Sequence, residues 1–182
     1  MADESATEIE MIVDSVRVHM RTGRHVLVLR ESGRGRLLMI WVGVNEANAI
    51  AMKLQGLSAE RPLTHDLMVS ILASLGSSIS RVVVTHVTEG TFHARLYLET
   101  ASGDETDVDS RTSDAIAVAV RTGSPIYADE RVLDEAGVEP DSTEEQSAEE
   151  EERLAVFREF VNSLDVDLPG QGGEGGGPSE ES

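Results

Sequence analysis

Runs rich in Val, Ile, Leu and Met at 10–20, 24–31 and 36–43 are separated by the turn signals RTGR and ESGRG. They predict three strands in an antiparallel meander. The pattern then becomes helical. Asn45 is placed to cap a helix running to about Gly56, with Ala47, Ile50, Ala51 and Leu54 on one face. In RPLTHDLMVSILASLG, Thr64 is the expected N-cap and Leu67, Met68, Ile71, Leu72 and Leu75 recur at helical spacing before Gly76. Three further strands are expected at 79–88, 91–100 and 104–110, joined by TEGT and ASGD turns. A compact Ala/Ile/Val helix follows Ser113, then a short strand PIYA and a last short helix from Asp129 to Ala136.

This order contains a repeat. NAIAMKLQG (48–56) and DAIAVAVRTG (114–123) each follow a three-strand meander. The chain thus reads as two βββα units with the Thr64 helix inserted between them. The expected fold class is α+β, with an antiparallel or mixed sheet whose two halves pack their helices together through small alanines.

Beyond residue 140 the composition changes. DSTEEQSAEEEE cannot bury a face, whereas Leu154, Phe157, Phe160, Val161 and Leu164 form the narrow stripe of an amphipathic helix. The division expected is a disordered N-terminus (1–8), one domain (9–140), an acidic linker and amphipathic helix (141–165), and a disordered Gly-rich tail (166–182). The apolar stripe calls for docking on the domain or a protein partner for the 150–164 helix.

Charge and cysteine content narrow the chemistry. The net charge is −19, but residues 9–140 hold 13 Lys+Arg against 18 Asp+Glu, so most of the acidity lies in the tails. A local basic stripe remains open to the body: Arg17, Arg21, Arg24, Arg30, Arg34 and Arg36 cluster around the first two hairpins. No aromatic residues interleave with them along the chain, which favours solvated strand faces and turns over a stacking platform. The absence of cysteine excludes disulfides and thiol nucleophiles. No apolar run approaches a membrane span and MADESATEIE lacks the character of a signal peptide, so a cytoplasmic protein without membrane contact is expected.

The candidate chemistry gathers where strands give way to helices. In DVDSRTSDAIAVAV a strand delivers Asp107, Asp109 and Arg111 to a helix start that carries Asp114. Glu46, His65 and Asp66 occupy the starts of the other two helices. Each carboxylate there has a structural reading, since an acid in a first turn favours the macrodipole by about 0.3–1 kcal/mol. Arg111 can pair with Asp109 and Asp114, or it can reach an anionic ligand. His65 has no special merit as a first-turn residue, and with Arg61 upstream and Asp66 beside it a role as a proton carrier near phosphate is open. His86 and His93 face each other across the TEGT turn as cross-strand neighbours, and His19 and His25 flank the RTG turn.

RPLTHDLM (61–68), GTFHARLYL (90–98) and RTSDAIAVAVRTGSPIY (111–127) together resemble the bifunctional nuclease family, over roughly residues 9–140. EEERLAVFREFVNSL is similar to the tail helix of many bacterial members. Thr112 departs from the pattern, where the family usually places proline; a role as or beside an N-cap is expected for it. The resemblance implies an α+β domain, a homodimer, and degradation of RNA and DNA as in plant relatives. Such chemistry needs an activated water and positive charge on the phosphorane. His65, Asp66, Arg111 and Asp114 are then the expected catalytic residues, with Glu46 and Asp109 as ligands of a divalent metal, Mg²⁺ or Mn²⁺. The alternatives from the residues alone are a non-catalytic dimeric regulatory or interaction module, or a sensor of a small anionic ligand.

Overall fold

A computed structural model of the chain describes residues 7–140. The expected acidic linker, the 150–164 helix and the Gly-rich tail lie outside the described residues, as do residues 1–6. The described elements are β1 (Glu8–Val18), β2 (His25–Glu31), β3 (Leu37–Val42), α1 (Val44–Leu54), α2 (Thr64–Ser74), β4 (Ser78–Thr88), β5 (Thr91–Glu99), β6 (Glu105–Arg111), α3 (Thr112–Thr122), β7 (Ile126–Asp129) and α4 (Glu130–Ala136). The fold is α+β, as the periodicities predict, and the elements follow in the expected order βββα, α, βββα, then β7 and α4.

The strands form one mixed sheet in the order β3-β2-β1-β7-β4-β5-β6. Each meander stays intact and antiparallel. The four residues of β7 join them, antiparallel to β1 and parallel to β4, with Ile126 opposite both Met11 and Val82. A strand this short holds the centre because Ile126 and Ala128 are buried and its backbone bonds on both sides.

Alternation sorts the sheet into two faces. Leu27, Leu29, Leu38 and Ile40 from one half, and Val82, Val84, Ala94 and Leu96 from the other, bury against α1 and α3. Helix α3 lies deepest: Ala115 to Ala119 are all buried, and it packs on α1, α2, β4 and β5. Ile50 and Ile116, the matched positions of the two AIA segments, are both fully buried. Each contributes about 1.5–3 kcal/mol as apolar area removed from water. Gly123 ends α3 in the left-handed region, at φ 73°, where a side chain is strained.

Two expected caps move, and Thr112 falls beside the third as expected. Helix α1 starts at Val44 with Gly43 rather than Asn45 as its N-cap, and the would-be Cβ of Gly43 falls where the Glu46 carboxylate folds back. At α2 the N-cap is Leu63 rather than Thr64, and Asp66 supplies the missing bond by accepting from the Leu63 backbone N–H at 2.9 Å. At α3 the N-cap is Arg111, and Thr112 turns its hydroxyl to the Phe92 carbonyl at 2.9 Å, tying the helix to β5. The position usually taken by proline thus serves a tertiary bond.

Helices α1 and α3 follow the two edge strands, which in a flat seven-stranded sheet lie about 29 Å apart. Arg111 at the end of β6 nevertheless meets Glu46, just past β3, at 2.8 Å. The sheet is therefore curled around its helices. A buried guanidinium fastens the far side: Arg36 bonds Glu31 at 2.8 Å and reaches Asp134 of α4 at 3.0 Å.

Candidate functional site

The three helix starts are built alike, with an acid at the third helical position: Glu46 in α1, Asp66 in α2 and Asp114 in α3. Packing of α3 between α1 and α2 brings these starts together. His65 Nε2 lies 3.0 Å from Asp114 Oδ1, Arg111 Nε donates to Asp114 Oδ2 at 2.7 Å, and an Arg111 terminal nitrogen donates to Glu46 at 2.8 Å. Four expected residues thus form one continuous chain, His65–Asp114–Arg111–Glu46, drawn from three helices.

Electrostatics fix the protonation within the chain. Burial alone raises the Asp114 pKa, but the hydrogen bonds from Arg111 and His65 outweigh it and hold the carboxyl below its usual range. An ionised Asp114 only accepts, so His65 Nε2 carries the proton and Nδ1 is the nitrogen with the lone pair when the ring is neutral. The imidazole is nearly covered, with 8% of its side chain exposed, whereas Arg111 is 67% exposed. Bonds from Asp114 and Glu46 raise the Arg111 pKa further, so its charge is permanent. Its remaining N–H donors face solvent.

Asp66 is not part of this chain. Its carboxylate is divided between the Leu63 N–H and Arg121 Nε, the latter at 2.6 Å, beside a cavity of about 290 Å³ that Lys53 and Ser70 also line. The Leu63 bond is the main cause of its lowered pKa, and Arg121 adds to it against the opposing effect of burial. Arg121 was not singled out by its sequence context. The signal was there in the spacing: Arg121 stands seven residues after Asp114, two turns along the same face of α3. The first turn of α2 therefore grips α3 at two points, through His65 and Asp66. Asp109 also stands apart; it is exposed on β6, and its cross-strand partner Arg95 pairs with Asp107 instead.

The fit to a divalent metal is poor. Among the described residues no group of three or more His, Asp or Glu side chains is arranged to hold a metal ion. Glu46 is committed to Arg111, and Asp109 does not converge with it.

A second polar region lies on the face of β4 and β5 away from α3. His86 and His93, paired in register, stack with ring centroids 4.3 Å apart. Arg81 lies 3.7 Å over the ring of Tyr97. With Arg95, Asp129 and Arg131, His86 and Tyr97 line a cleft of about 510 Å³. The cross-strand expectation for the two histidines holds.

Fold and junction together define a small α+β domain with a histidine–carboxylate–guanidinium set at its helix starts. Residues 27–141 match the family model described as the bifunctional nuclease domain, and the chain belongs to that family. An uncharacterised protein of Mycobacterium tuberculosis is 40% identical over 161 residues, covering 87% of this chain and 96% of that protein. Bifunctional nuclease 1 of Oryza sativa subsp. indica is 24% identical over 150 residues, which span 70% of this chain and 45% of the rice protein. The bifunctional nuclease of Oryza minuta matches to the same extent. Among the described residues no helix is long and apolar enough to cross a membrane.

Proposed function

We propose that the domain is a nuclease that hydrolyses phosphodiester bonds of RNA and DNA, with the chemistry at the His65–Asp114–Arg111 junction. The observation that carries this reading is the hydrogen-bonded chain of these residues, in a member of the bifunctional nuclease domain family. Asp114 fixes the imidazole tautomer, so that Nδ1 of His65 can take a proton from an attacking water. The water oxygen bonds to phosphorus, the P–O bond to the leaving oxygen breaks, and that oxygen regains a proton from solvent or from the imidazolium. Arg111, exposed and permanently charged, meets the negative charge that grows on the phosphorane. Asp66 acts as a positioning residue that holds the first turn of α2, and with it His65, against α3.

No step is routed through a metal, because the described carboxylates do not converge. A second reading is favoured by one feature: both junction acids are already paired and the His65 ring is almost covered, as in a purely structural latch of a regulatory module. The test is cleavage of labelled single-stranded RNA and DNA by the purified full chain, in EDTA and in Mg²⁺ or Mn²⁺, beside His65→Gln. Activity that falls with the substitution supports the enzyme; no activity on either polymer under any of these conditions supports the latch.

A further inference from the structure

Trp41 is the chain's single tryptophan, and it sits half exposed on β3, on the sheet face turned away from α1 and α3. The Arg24 guanidinium lies 4.3 Å from its ring centre, and the His19 ring meets it edge-on at 5.9 Å. In register, Trp41 is opposite Val26 and Val26 is opposite Arg17, which makes one row across three strands. Arg30 lies on the same face of β2, four residues beyond Val26. The arginines that show no aromatic partner along the chain thus acquire one from the neighbouring strand.

The local charge is opposite to that of the whole molecule. Residues 11–30 contain four arginines and a single acid, Asp14, in a chain of net charge −19. Asp14 is shared between Arg17 and Arg30, at 3.3 Å each, so this one carboxylate holds both guanidinium groups beside the apolar row.

We propose that this face of β1–β3 binds single-stranded nucleic acid, with a base stacked on Trp41 and the backbone phosphates on Arg17, Arg24 and Arg30. An exposed indole offers a π-face to an unpaired base once the Arg24 guanidinium passes from that face to a phosphate, whereas duplex bases are already stacked on each other. The charge asymmetry supplies the backbone attraction. The choice of ligand rests on the nuclease reading, but the surface is separate from the His65 junction.

The experiment titrates the full chain with a 2′-O-methyl oligouridine of about 12 nucleotides in EDTA and follows tryptophan fluorescence, which Trp41 alone supplies. Saturable quenching is expected, weakening with salt at a log–log slope of about −2 for three phosphate contacts and shallower by about 0.7 for Arg24→Gln. An equally long duplex should bind more weakly. By anisotropy of a labelled oligonucleotide, Trp41→Ala should weaken binding about ten-fold or more and Trp41→Phe much less. Salt-independent binding, no binding, unchanged affinity in Trp41→Ala, or quenching that follows protein concentration alone would overturn the proposal; the last would mark the face as a contact between copies. The same titration with His65→Gln, in which turnover is expected to be lost, keeps the ligand intact, so failure here and failure of the cleavage assay are separate results.

Discussion

His65→Gln and Asp114→Asn separate catalysis from scaffolding at the junction. Glutamine keeps an N–H donor for Asp114 Oδ1 and loses the titrating ring. The latch between α2 and α3 therefore survives at a cost of about 1 kcal/mol while proton transfer is abolished, and turnover should fall by about 10² or more. Asparagine at 114 keeps an acceptor for His65 but makes that bond neutral, at a cost of about 1 kcal/mol. It also turns an amide against Arg111, whose exposure limits this loss to about 0–1 kcal/mol, and removes a first-turn charge worth about 0.3–1 kcal/mol. The sum is about 2 kcal/mol, or roughly 5–8 °C in thermal midpoint for a domain of this size. Rates should be measured on single-stranded RNA well below both midpoints, with stability determined by denaturant unfolding in the same buffer. Residues acting as a unit give a double variant scarcely slower than the worse single one. A folded His65→Gln protein with full turnover, or rate losses that simply add, would refute the catalytic pairing.

Three further outcomes follow from the same geometry. Glu46→Gln releases one constraint on Arg111 and should raise kcat/KM for oligonucleotide several-fold; an unchanged kcat/KM in steady-state assays would remove Arg111 from contact with the reacting phosphate. Arg36→Ala leaves Glu31 charged and buried, so chemical denaturation should show a loss of about 3–5 kcal/mol, with Glu31→Ala comparable and Asp134→Ala, whose own side chain is exposed, far smaller. The folded-state pKa values of Glu31, Asp66, Asp114 and Asp129 are all lowered, by Arg36, by the Leu63 N–H, by Arg111 and His65 against burial, and by Arg131 respectively. Groups depressed in this way stabilise the fold above their unfolded values near pH 4 and lose that contribution as pH falls through the folded values. Unfolding free energy should thus hold steady from pH 7 to about 5 and drop steeply below about 4; a flat profile down to pH 3 by urea titration would contradict the pairings.

Element type was legible because period and turn chemistry are local. Even β6, almost wholly exposed, was marked by the ASGD turn and the alternation of DVDS. Topology was not legible in the same way. PIYA could be read as a strand, but nothing within four residues says that it will hold the centre of the sheet between β1 and β4. That place follows from pairings with strands more than 40 positions away. The encounter of Arg24 with Trp41 is set by the β2–β3 register, which pairs Trp41 with Val26, and so was invisible to a search for aromatics adjacent to arginines. Caps were misplaced for a related reason: residue type named Asn45 and Thr64, while the N-caps fell on Gly43 and Leu63, which have no polar side chain to offer, and at α2 Asp66 made the bond instead.

The three acids at the third helical positions bear on what the junction is for. A carboxylate in a first turn has a ready local use, the bond to an unpaired backbone N–H, and Asp66 makes it with Leu63. Asp114 and Glu46 occupy the same position in their helices without such a bond among those described: the Asp114 carboxylate is taken by His65 and Arg111, and the Glu46 carboxylate, folded back over Gly43, is taken by Arg111. Capping therefore accounts for Asp66 alone. At the other two helices a local bond is left unmade so that one arginine at the end of an edge strand and one covered histidine are held in a fixed relation across three helices. This is the arrangement that the proposed chemistry would use, so the functional test falls on His65, Asp114 and Arg111 rather than on the helix starts as a class.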